Sequence, residues 1–152
     1  MVAASQENLP DVLHFESPRQ LAVYERFLHE GARGYLAYLD GRCVHRSWVQ
    51  LGPARVTLFR RLRRALGPEE AYIHYCETAS EARGKNVYPA VLARVAEDLG
   101  PSRRLLIATT LSNRPSVRGI EKAGFVCCQR LLVAAVLRWT MVLRREDPLA
   151  DR

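Results

Sequence analysis

The segment Glu81-Ala82-Arg83-Gly84-Lys85-Asn86 holds residue types that suit a phosphate group. It runs into Val87–Leu99, where Val91, Leu92, Val95 and Leu99 recur at helical spacing and Gly100-Pro101 ends the run. Backbone N–H groups at the start of a helix lack partners and carry partial positive charge, so they attract anions. Gly84 lets the chain approach a ligand closely, and Arg83 and Lys85 add full charges beside it. Asn86 caps helices well and tolerates left-handed geometry. These residues outline a pyrophosphate cradle, although one glycine between two bases also makes a plain turn. Immediately upstream, Glu77 lies near the end of the run AYIHYCET. It is either a candidate base or an ordinary arginine-paired carboxylate.

Several elements must position this loop. Ala71–Thr78 reads as a strand, with Tyr72, His74, Cys76 and Thr78 alternating onto one face, and Arg104–Leu111 reads as a strand buried on both faces. Strand, loop, helix and strand in that order predict a βαβ unit. Upstream, Ser17-Pro18 opens a helix marked by Leu21, Tyr24, Phe27 and Leu28. Asp40-Gly41 then joins two β-rich runs as a tight hairpin. Pro53 starts an expected second helix, with Val56, Phe59, Leu62 and Leu66 on one face and Arg60, Arg61, Arg63 and Arg64 over much of the rest. Asn113-Arg114-Pro115 starts a short helix to Ala123, closed by Gly124. Phe125–Leu143 carries two more strand candidates. The class is mixed α/β.

The chain has 152 residues, 48% hydrophobic and 26% charged, the profile of one domain spanning 1–152. Residues 1–12 and 145–152 are expected to be flexible. Basic side chains outnumber acidic ones by 23 to 16, giving +7, and all but Lys85 and Lys122 of the bases are arginine. That excess makes polyanions the first suspected partners. The longest apolar run, Leu131 to Leu137, is far short of the ~20 residues of a membrane helix. The N-terminus lacks the basic start and apolar core of a secretory signal. Cys43, Cys76, Cys127 and Cys128 form no CxxC, so reduced thiols are expected rather than a metal site. A cytoplasmic location follows as an expectation.

ETASEARGKNVYPAVL together with SNRPSVRGIEKAGF resembles the GNAT superfamily of acetyl-CoA-dependent N-acyltransferases, over roughly Ala71 to Gln129. The resemblance implies a mixed central sheet flanked by helices, with acyl-CoA at the strand–loop–helix. It implies that the backbone near Thr78 pairs with the pantetheine arm. The amides of Arg83, Gly84, Lys85, Asn86, Val87 and Tyr88 would hold the pyrophosphate. Asn113, with Ser116 nearby, would hydrogen-bond pantetheine. An amine would attack the thioester directly, with Glu77 as candidate base. Glu81 stands where the family has Gln or Arg, and Asn86 where it has Gly or Ala. Ile120 stands where many members carry a tyrosine acid, leaving Tyr75, Tyr88 and Cys127 as substitutes. His45 and His74 are weaker candidates. The expected partners are an acyl-CoA and an amine-bearing acceptor, with a homodimer allowed and nucleic acid disfavoured. The rival readings are a non-catalytic acyl-CoA-binding or interaction protein of the same fold and, behind it, a basic nucleic-acid-binding module built on Arg60–Arg64.

Overall fold

Alternation of apolar residues on either side of Asp40-Gly41 creates the centre of the molecule. The computed structural model describes residues 1–136 and 139–148. In chain order the elements are β1 (Val2–Ala3), a 3-10 helix (Leu9–His14), α1 (Pro18–His29), β2 (Arg33–Leu39) and β3 (Arg42–Leu51). Next come β4 (Ala54–Phe59), β5 (Leu62–Leu66), β6 (Glu70–Thr78), a 3-10 turn (Ser80–Ala82) and α2 (Val87–Leu99). The chain continues through β7 (Arg104–Ile107), α3 (Arg114–Lys122), β8 (Arg130–Val136) and β9 (Trp139–Glu146). Asp40 and Gly41 take φ of 49° and 78°, the left-handed geometry that lets β2 fold back onto β3.

Among the described residues the main sheet has the order β1-β2-β3-β6-β7. All its neighbours are antiparallel except β6 and β7, which pair in parallel from Glu70–Arg104 to Ile73–Ile107. Period-2 alternation sends adjacent residues to opposite layers. Tyr35, Val49, Ala71 and Ile73 meet the apolar stripe Val91, Leu92, Val95 and Leu99 of α2. Leu36, Cys43 and Trp48 face the other way, onto Leu9, Val12 and Tyr24. Each of these fully buried aliphatic side chains contributes about 1.5–3 kcal/mol.

Within the first dozen residues, expected to be flexible, a few positions are anchored. Leu9 and Val12 are fully buried, and the Ala4 N–H donates to Gly34 O at 2.8 Å. Gly34 makes this possible, because a Cβ there would lie 2.5 Å from Ala4 Cβ and 2.9 Å from the Trp48 ring. Ser17 caps α1 as expected, accepting from the Gln20 N–H.

The expected helix over Pro53–Leu66 is a β-hairpin of β4 and β5. Val56, Phe59, Leu62 and Leu66 mimic a helical stripe, but Ala54, Val56 and Leu58 also alternate. Val56 and Leu66 bury themselves against Tyr72, with Leu106 alongside. β7 is shorter than expected, ending at Ile107, and it is half-buried rather than buried on both faces. The two C-terminal strand candidates exist, pairing with each other in a separate two-stranded sheet. Arg145 and Glu146, expected in a flexible tail, belong to β9, and residues 149–152 of that tail lie outside the described residues.

Candidate active site

β6 carries two functional sides because of a bulge. Trp48 pairs with His74 and Arg46 with Glu77, so Tyr75 and Cys76 together oppose Ser47. Tyr75 absorbs the extra residue at φ 47°. The expected face of Tyr72, His74, Cys76 and Thr78 is therefore broken in the middle. Tyr72 and His74 stack on each other at 5.7 Å on the α1 side. Past the bulge, Cys76 packs into the α2-side core, while Tyr75 meets Phe27 of α1 at 5.0 Å. Arg46 holds the bulge by donating to the Tyr75 carbonyl and pairing with Glu16.

Beyond Ile73 the pairing of β6 with β7 stops, so the edge of β6 from His74 to Thr78 is not covered by β7. The phosphate-cradle segment lies just past this edge. Gly84 and Asn86 adopt φ of 78° and 59°, and a Cβ on Gly84 would meet only open space. Asn86 sits at the N-cap of α2 but gives its helix no side-chain cap. Its Oδ1 accepts instead from Lys122 Nζ at 2.7 Å, tying α3 to the loop. The amides of Arg83 and Lys85 turn inward, to Ser80 O and Ala82 O. Among the described residues the N–H groups of Gly84, Asn86, Val87 and Tyr88 donate to no protein acceptor. Four open amides at a helix start form an anion nest.

The Arg83 side chain reaches back, with Nε on Thr78 O at 3.2 Å and a terminal nitrogen on Glu77 Oε1 at 2.9 Å. Glu77 is thus arginine-paired, yet exposed at the rim of a cleft of about 430 Å³. That cleft lies between the His14–Gln20 segment and the end of β6, and Glu16, Arg46 and Glu81 also line it. His14 Nε2 pairs with Glu81 Oε1 at 2.8 Å across it.

A polar chain runs beneath the site. His45 is fully buried, with Nδ1 2.7 Å from Thr78 Oγ1 and Nε2 2.7 Å from Ser47 Oγ. Burial, reinforced by the Arg46 charge, pushes its pKa down to about 3, so the ring is neutral. Ser47 and the Tyr88 hydroxyl both contact the Cys76 thiol, whose pKa burial raises. Tyr88 also contacts Ser116, and burial pushes its phenol pKa up, keeping the proton in place. The sequence-based reading rated His45 low because a strand histidine looks the same whether it is core or network. Only its buried partners distinguish the two.

Asn113 and Ser116 come together at the start of α3, where Asn113 Oδ1 accepts from the Ser116 N–H at 3.3 Å. The substitute acids do not converge. Tyr75 lies on the α1 side, Tyr88 is half-buried under the loop, and the exposed Cys127 thiol faces Gln129 O. Ile120 packs against the α2 core. Gly119 lies flush on Tyr88, where a Cβ would fall 2.7 Å from ring Cδ1. Gly119→Ala is expected to shift Tyr88 or α3 and cost roughly 1–3 kcal/mol, read as a lower urea midpoint with an unchanged slope.

No family model and no curated protein sequence matches the chain. Solved structures do match, acetyltransferases among them. A GNAT-family acetyltransferase from Colwellia psychrerythraea aligns over 83% of this chain at 19% identity and TM-score 0.62, and this chain spans 45% of that one. The aminoglycoside acetyltransferase AAC(6')-Iy, solved with a bisubstrate analogue of CoA and acetylneamine, is 15% identical with TM-score 0.68. There the alignment covers 90% of this chain and 96% of that one. A ribosomal-protein-alanine N-acetyltransferase from Brucella melitensis gives 16% identity and TM-score 0.61 over 97% and 99% of the two chains. The chain has the GNAT acetyltransferase fold. No helix among the described residues is long and apolar enough to cross a membrane.

Proposed function

We propose that the chain is an acetyl-CoA-dependent N-acetyltransferase acting on an amine-bearing small molecule or peptide. The observation that carries this reading is the nest of open amides at Gly84, Asn86, Val87 and Tyr88, lying beside a β6 edge that β7 leaves uncovered. A pyrophosphate fits the nest, with Lys85 adding charge. An extended pantetheine arm fits the edge near Thr78 as an added strand. With its Oδ1 used as a helix cap, Asn113 has its amide N–H groups to offer that arm, beside Ser116. The neighbours solved with CoA analogues support the same donor for this fold.

In this reading the acceptor nitrogen enters from the 430 Å³ cleft, whose lining sets the carboxylates of Glu16, Glu77 and Glu81 against the guanidiniums of Arg46 and Arg83, a balance of one negative charge that favours a cationic amine. Glu77 takes the ammonium proton, directly or through water. The nitrogen lone pair forms the C–N bond, the C–S bond breaks with its electron pair leaving on sulfur, and the second nitrogen proton passes to that thiolate or to water. A thiol with a pKa near 8.5 departs as thiolate without an acid, so Ile120 in the tyrosine position is no obstacle.

Calorimetry with acetyl-CoA should give one-site binding, and ligand at 100 times Kd should stabilise the fold by about 2.7 kcal/mol. Glu77→Gln should lower thiol release roughly 10²- to 10⁴-fold while leaving acetyl-CoA affinity in place. No heat at millimolar acetyl-CoA would end this reading. A second reading, an acyl-CoA-binding protein without turnover, draws on the pairing of Glu77 with Arg83. Binding without thiol release across a panel of amines would select it.

A further inference from the structure

The arginine-rich segment that the active site leaves unused is an outward-facing arm. Residues 54–66 contain five arginines and no acidic residue. Arg64 turns inward and is neutralised by Glu70 at 2.7 Å. Arg55 and Arg63 project from the opposite, exposed face, on neighbouring rungs (Arg55–Ala65 and Thr57–Arg63). Among the described residues, Arg55, Arg60 and Arg63 form no ion pair with any carboxylate. Phe59 is 40% exposed at the tip, with the Arg60 guanidinium 5.8 Å from its ring centre.

The tip holds a second clue. The turn joining β4 to β5 is Arg60-Arg61, and Arg60 sits at φ 46°. Glycine or asparagine takes that geometry cheaply, whereas a long side chain costs about 1 kcal/mol there. The two-residue turn itself demands that positive φ, and it brings the Arg60 guanidinium beside the Phe59 ring at the tip. β6 separates this end of the sheet from the acyl-CoA loop by about 25 Å, taking 3.3 Å per strand residue. The arm is therefore a surface independent of the candidate active site.

We propose that the β4–β5 hairpin is a docking arm for single-stranded nucleic acid, with Arg55, Arg60 and Arg63 on phosphates and Phe59 against an unpaired base. An exposed aromatic at the tip of a basic ribbon provides a stacking platform for such a base. Arginine in place of lysine suits planar, forked contacts with phosphate. The hairpin carries Phe59 to the tip beside Arg60, so an aromatic ring and a guanidinium share one exposed end.

The test is fluorescence anisotropy of the full chain with three labelled probes: a 20-nucleotide single-stranded RNA, a 20-base-pair DNA duplex and a polyglutamate of matched charge. The single-stranded RNA should bind, and three released phosphate contacts should weaken it about 20-fold between 50 and 200 mM salt. The triple variant Arg55→Gln, Arg60→Gln, Arg63→Gln should bind at least tenfold more weakly and with a shallower salt slope. Its thermal melt and its response to acetyl-CoA should match the parent, separating loss of docking from loss of fold. Phe59→Ala should weaken the single strand more than the duplex, and a duplex bound more tightly than the single strand overturns the proposal. Polyglutamate binding as tight as either nucleic acid, or an unchanged affinity and salt slope in the triple variant, overturns the proposal.

Discussion

Arg46→Met is expected to cost roughly 3–5 kcal/mol of stability, because it breaks one side of a buried ion pair. The Arg46 and Glu16 side chains are only 7% and 11% exposed. One carboxylate oxygen of Glu16 receives Arg46 Nε at 3.0 Å, a terminal nitrogen at 2.5 Å and the Tyr24 hydroxyl at 3.1 Å. The guanidinium also lies 4.7 Å from the centre of the Tyr24 ring and donates to the Tyr75 carbonyl. Methionine matches the stem but leaves a charged carboxylate and the bulge carbonyl without their donor. Neither is open enough to recover full hydration. Arg46→Met/Glu16→Met removes both charges together and should recover most of the loss. Urea unfolding of the two single variants and the double variant gives the coupling directly. A cost below about 1 kcal/mol for Arg46→Met would show that the pair behaves like an exposed salt bridge. Because the same guanidinium fixes the bulge that turns Glu77 toward the cleft, thiol release should fall along with stability.

Acidification should destabilise the fold well before its carboxylates are neutralised. Burial holds His45 at a pKa of about 3 and His74 at about 4, against 6.5 for an exposed imidazole. His74 Nε2 is buried without a partner, and nothing there welcomes a proton. Both rings are neutral in either state above pH 6.5. Between pH 6.5 and about 4 the unfolded chain binds two protons that the folded chain refuses, so stability falls as pH falls. At about 1.4 kcal/mol per pH unit and ring, moving from pH 7.5 to 4.5 should remove on the order of 5 kcal/mol. Glu70, whose pKa is lowered chiefly by the Gly67 N–H it accepts, adds a loss of the same sign only below about 4.5. Urea midpoints across this range test the slope, and His45→Gln with His74→Phe should flatten it. A flat profile in the parent down to pH 4.5 would mean that the rings take up protons without unfolding.

The local elements were legible wherever one residue type has one physical reason to be present. Ser17-Pro18 marks a helix start because a hydroxyl caps and proline lacks an N–H. Asp40-Gly41 marks a hairpin because both accept positive φ. The stripe on α2 and the order of strand, loop and helix followed from periodicity in the same way. The Arg60–Arg64 segment failed because Val56, Phe59, Leu62 and Leu66 satisfy helical spacing while Val56 and Leu58 satisfy strand spacing. Its two-arginine turn carries no turn signature, and the cluster that decides the matter includes Leu106, which is distant in sequence.

By itself, then, the sequence determined the mixed α/β class and the order of strand, loop and helix that runs from Ala71 to Leu99. Periodicity, capping and charge act over a few residues and can be read in order along the chain. Tertiary structure alone decided which of those residues face the same space. The bulge at Tyr75 moved Cys76 and Thr78 to one side of the sheet and Glu77 to the other. Packing buried His45 between Thr78 and Ser47, turned the Asn86 side chain to Lys122, and left four amides open. A single extra residue in one strand reverses every later side chain, and that reversal depends on a partner strand about thirty residues away.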